Sequence, residues 1–149
     1  MFSAVAEQLG VDYQTAVNVS AGFGGGMYLG SVCGAVTGGI MAIGLKHGGL
    51  GPRSMKTAIL VRDFADRFKA QHKSVNCPDL TGFDLSRIDL RNPETLKKMF
   101  GDLSTPEAQK EVREMLGGRD TKEISAACTS YVRDAVTIVN ELVNSPSKG

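Results

Sequence analysis

The sequence predicts an all-α protein, an irregular multi-helix bundle with a glycine-rich loop and a long C-terminal helix. Three observations carry that class. Apolar residues recur at helical period over residues 54–72 and 121–143. Helix-start signals recur along the polar middle of the chain, as capping side chains and X-Pro pairs. No two alternating runs are long enough to pair as a sheet.

The elements follow in order. Met1 to Leu9 reads as the end of an amphipathic helix, with Phe2, Val5, Ala6 and Leu9 on one face and Gly10 as its stop. Asp12 is placed to cap a second helix through about Ala21. Gly22-Phe23-Gly24-Gly25-Gly26 holds four glycines in five positions. Each costs about 1 kcal/mol in a helix relative to Ala, so a loop is expected. Cys33 to His47 reads as a third helix, ended by Gly48-Gly49. Its glycines, Gly34, Gly38, Gly39 and Gly44, would let another helix approach closely. Ser54 to about His72 is a fourth helix, with Ile59, Leu60, Phe64 and Phe68 as its inner stripe. Cys77-Pro78 opens a short helical turn, with Cys77 at the N-cap and Pro78 at N1. Asn92-Pro93 and Thr105-Pro106 start short helices near 93–100 and 106–116. The last helix spans about 121–143. Asp120 and Glu123 form its acidic capping signal, and Ile124, Cys128, Tyr131, Ala135, Ile138 and Leu142 form its stripe. The tail from Asn144 to Gly149 is expected to fray.

Composition bounds the function classes. A chain of 149 residues, 42% hydrophobic and 22% charged, fits one folded domain over 1–149. Seventeen basic against sixteen acidic residues give a net charge of +1. That balance argues against a dedicated nucleic-acid or polybasic membrane surface. No stretch approaches the ~18 unbroken apolar residues of a membrane span. The first residues lack the basic flank and cleavage site of a secretory signal, so a soluble, cytoplasmic protein is expected.

The three cysteines are the candidate chemistry. An odd number cannot pair entirely within the chain. In a reducing compartment, thiols, metal ligands or a redox pair are expected rather than a disulfide framework. Cys33 opens a predicted helix, where free N–H groups and the positive end of the helix dipole favour a thiolate. Cys77 is held in a defined direction by the proline that follows. Cys128 lies on an inward-pointing stripe where the other two sulfurs are able to meet it. For each there is a plainer reading, a small buried side chain or a cap. No pair has the close C-x₂-C spacing of a zinc ribbon or ferredoxin loop, so a shared site must be assembled by the fold.

The string Cys33-Gly34-Ala35-Val36-Thr37-Gly38, followed by Cys77 before Pro-Asp-Leu-Thr-Gly and by the late Cys128, resembles the redox-active protein family named for its C, GCAxxG, C and C motifs. The resemblance covers nearly the whole chain. It implies redox chemistry, and for some members an export signal suggests a prosthetic group such as an iron–sulfur cluster. By position, Cys33, Cys77 and Cys128 are similar to the second, third and fourth family cysteines. They are the expected catalytic, cofactor-binding and metal-binding residues, with an iron–sulfur cluster or another thiolate-bound metal as the group implied. The first family cysteine has no counterpart here. The expectation is that Met1 is a misassigned start and that an in-frame Cys codon lies roughly four codons upstream, about one helical turn.

Other features weigh less. The glycine-rich segment lacks the preceding strand of a dinucleotide fingerprint and reads as a sharp turn. His47 and His72 each end a predicted helix, where a cation is favoured, and are expected at the surface, the alternative being a metal or haem ligand. The functional expectation is thiolate chemistry, either thiol–disulfide electron transfer or a bound metal centre. A redox partner protein or a second copy would be the partner, and nucleic acid is excluded. The alternative is a non-enzymatic helical scaffold whose cysteines are structural.

Overall fold

The computed structural model describes residues 1–144, so the expected frayed tail lies, apart from Asn144, outside the described residues. The helices there are α1 (Tyr13–Ser20), α2 (Gly34–His47), α3 (Pro52–His72), α4 (Cys77–Thr81), α5 (Pro93–Phe100), α6 (Pro106–Met115) and α7 (Thr121–Asn144). The all-α class is as expected, and the long C-terminal helix is α7.

The core forms where α2, α3 and α7 pack on one another. Phe64 and Phe68 from α3, Val36 and Ile43 from α2, and Val139 from α7 are fully buried. Removing each such ring or branched side chain from water contributes about 1.5–3 kcal/mol. Phe2, Val5 and Ala6 close the core from the start of the chain.

The small residues of α2 explain how the core closes. A Cβ on Gly34 would sit 2.8 Å from the Phe23 carbonyl oxygen, and one on Gly38 would sit 2.9 Å from the Phe2 nitrogen. One on Gly39 would enter the Phe64 ring. The glycine loop, the N-terminal segment and α3 each occupy the space that a side chain would need. Close approach, the expected role, is observed at Gly34, Gly38 and Gly39 but not at Gly44, around which there is open space.

Three expectations are corrected. Ile59 stands outside the inner stripe of α3, on its exposed side. Residues 1–9 form no α-helix but two 3₁₀ turns, Phe2–Ala4 and Glu7–Leu9, before left-handed Gly10. Phe2, Val5 and Ala6 still face inward. So short a segment cannot repay the cost of helix nucleation, and it spends its apolar side chains on α2 instead. The short helix α4 is capped by Asn76, which places Cys77 inside its first turn rather than at the cap.

The glycine-rich loop is also tighter than composition implies. Gly25, Gly26, Met27 and Tyr28 all take left-handed backbone, with φ of 57°, 69°, 62° and 55°. The two non-glycine residues hold a conformation that costs each about 1–3 kcal/mol.

A final feature has no counterpart in the sequence reading. Val32 and Asn76 form an isolated antiparallel bridge. It joins the start of α2 to the segment leaving α3, and so clasps the open end of the α2–α3 hairpin.

Candidate functional site

Each cysteine is placed by a different device. Cys33 is the N-cap of α2, with only 6% of its surface exposed. Cys77 stands at the start of α4, half-buried. Cys128 lies on α7, also half-buried. The first two are fixed relative to each other by the clasp. The Cys33 N–H donates to the Val75 carbonyl at 2.8 Å, and the Cys77 N–H donates to the Ser31 carbonyl at 2.8 Å. Each cysteine therefore follows one residue of the bridged pair, Cys33 after Val32 and Cys77 after Asn76.

The three thiols sense one another's charge. An ionised Cys33 raises the pKa of both Cys77 and Cys128, and an ionised Cys128 raises that of Cys77. Residues 33, 77 and 128 therefore lie within electrostatic range of one another. All three are free thiols.

Their ionisation differs from the sequence expectation. The Ala35 and Val36 N–H groups, and then the Met1 amino group, do favour a Cys33 thiolate. Burial acts more strongly, and the Cys33 pKa is raised. Burial also raises the other two. At Cys77 the Thr81 hydroxyl opposes the shift, while repulsion from Asp84 adds to it.

Several supporting residues escaped sequence reasoning. Thr81 is a buried polar side chain, 2.8 Å from the Cys77 carbonyl and 3.2 Å from that of Phe83, and it also accepts from the Phe83 N–H. Tyr131 donates its hydroxyl to the Leu80 carbonyl at 2.8 Å, tying α7 to α4. The Arg119 guanidinium covers Gly82. A Thr in a five-residue turn carries no periodic signal, and Tyr131 reads simply as one more stripe residue. His72 does end its helix but is not a surface residue. Its ring lies 4.5 Å from that of Phe68, tilted by 48°, and edge-on at 4.9 Å to Tyr131. Its Nε2 lies 3.1 Å from Asp134 Oδ2 without the alignment of a hydrogen bond.

The metal expectation can be tested on these positions. No set of three or more His, Cys, Asp or Glu side chains among the described residues stands close enough to hold one ion. The thiols reach charge-coupling range without forming a ligand set. They do not fit an iron–sulfur centre in this arrangement.

The fold and site define an all-α protein carrying three free thiols within electrostatic range of one another. The chain belongs to the family described as "Putative redox-active protein (C_GCAxxG_C_C)", whose model matches residues 1–142. No curated protein and no solved structure matches it. The family name supports redox activity for a cysteine protein of this kind. Among the described residues, no helix is long and apolar enough to cross a membrane.

Proposed function

We propose that the protein is a cytoplasmic thiol–disulfide redox protein in which Cys77 and Cys33 form the exchanging pair. The observation that carries this is the clasp, which holds the backbones of the two cysteines side by side at one bridge. The backbones on either side of the bridge are hydrogen-bonded, so a movement of the short helix α4 would close the two sulfurs to bonding distance. Cys77 is the more accessible and makes the first attack. Its thiolate attacks one sulfur of a partner protein's disulfide, forming a mixed disulfide and releasing the partner's other sulfur as a thiolate. The Cys33 thiolate then attacks the Cys77 sulfur and releases the second partner thiolate. The partner disulfide is thereby reduced by two electrons, and Cys33–Cys77 is oxidised by two. Oxidation also removes the repulsion that the two thiolates exert on each other.

The test is peptide mapping after treatment with oxidised glutathione. A Cys33–Cys77 link is expected, lost in Cys33→Ser and in Cys77→Ser and retained in Cys128→Ser, with helicity near wild type throughout. Three thiols still titrating after oxidation would defeat the proposal. That result would favour the scaffold reading, which the deep burial of Cys33 supports. A visible charge-transfer band in anaerobically purified protein would favour a thiolate-bound metal instead.

A further inference from the structure

The near-zero net charge conceals a segregation. Between Asp12 and Asp63 the chain has no acidic residue, yet Lys46, Arg53, Lys56 and Arg62 all fall in that span. The fold concentrates these four at the turn joining α2 to α3 and along the first half of α3, where all are exposed. Large apolar side chains stand among them. Leu50 is 96% exposed in the turn, flanked by Gly49 and Gly51. Met55 and Ile59, one helical turn apart on α3, are 70% and 67% exposed, and Leu45 on the last turn of α2 is 44% exposed.

Exposed apolar side chains set among basic ones, with the nearest acidic residue in the sequence at Asp63 one turn beyond Ile59, mark an interaction surface. The charge selects the occupant. A second copy docking through this patch by two-fold symmetry would set the basic side chains against their own kind. The shape selects further. Leu50 stands on a turn with no side chain on either neighbour, so it forms a point rather than a groove. A fluid surface accepts separate apolar points between anionic groups without needing a complementary pocket.

We propose that the α2–α3 turn docks the protein on anionic phospholipid. Leu50 enters the boundary of the acyl layer, with Met55 and Ile59 beside it, and the basic side chains meet the headgroup phosphates. Cys33 lies at the far end of α2, fourteen residues or about 20 Å away, so the thiols face away from the lipid. The proposal is independent of which sulfur chemistry the thiols perform.

Vesicle flotation with the full chain tests it. Binding is expected to vesicles in which about one third of the phosphatidylcholine is replaced by phosphatidylglycerol, not to phosphatidylcholine alone, and it should weaken as salt is raised. Leu50→Asp should lower the bound fraction about tenfold or more, since burial of a leucine is lost. Arg53→Glu should lower it about fivefold or more. Both positions are exposed, and unchanged helicity and thiol count would establish that the variants are folded. Wild-type protein that stays unbound at low salt, as an acidic protein partner would have it, overturns the proposal. So does equal binding by Leu50→Asp, or a wild-type dimer that this substitution splits.

Discussion

At the scale of single residues, Cys33 is pulled two ways. The amide groups of the α2 N-terminus favour its anion, and the surrounding side chains disfavour it more. The consequence is measurable at neutral pH. Alkylation of Cys33 should be slower in the folded protein than in urea, with Cys77 and Cys128 intermediate. Faster reaction in the folded state would contradict the burial argument. The same shift links to stability. A thiol whose pKa is raised on folding binds its proton more tightly in the native state. Its contribution is therefore complete below the ordinary thiol value and is lost as pH rises through the folded value. Urea midpoints should fall from neutral into alkaline pH, and fall less in Cys33→Ser. Sequence alone made the helix start at Cys33 visible but not the burial. Position on a helix is local, whereas desolvation is decided by Phe2, α3 and α7, which arrive from far along the chain.

At the scale of elements, α2 shows why its motif reads as it does. Gly34 and Gly44 look alike in the sequence, yet only Gly34 faces a neighbouring backbone, and around Gly44 there is open space. Gly34→Ala should destabilise by about 1–3 kcal/mol through overpacking against the Phe23 carbonyl. Gly44→Ala should instead stabilise by about 0.4–1 kcal/mol, because alanine restricts the unfolded chain and suits the helix. Thermal or urea melts of the two variants give opposite signs if the packing is as described. The helices themselves were largely legible. The starts at Pro93 and Pro106 coincide with the Asn92 and Thr105 caps, whose side chains accept the Glu94 and Ala108 N–H groups at 2.9 Å and 3.2 Å. The first nine residues and the left-handed run through Met27 and Tyr28 were not legible. Both are shaped by what they pack against rather than by their own propensities.

At the scale of the whole molecule, stability is unevenly distributed. The three long helices share the buried aromatic and branched side chains, whereas α5 has no buried residue and α6 buries only Val112. The pair is joined by an exposed Lys98–Glu111 ion pair at 3.2 Å, which contributes little in water. Amide hydrogen exchange should therefore be slowest in α2, α3 and the second half of α7, and at least about tenfold faster in α5 and α6. Uniform protection would show that the peripheral hairpin belongs to the same cooperative unit. The proximity of the thiols belongs to this scale too. Family resemblance pointed to the three sulfurs, but no local spacing predicted the bridge that holds the backbones of two of them side by side.

That bridge has a mechanical corollary. Because α2 and α3 are joined covalently at one end and laced by backbone hydrogen bonds at the other, the loop at Gly48–Gly51 is not what keeps the two helices together. A chain severed there should survive as two fragments that find each other again, and foreign sequence spliced into that loop should leave the opposite end of the molecule undisturbed.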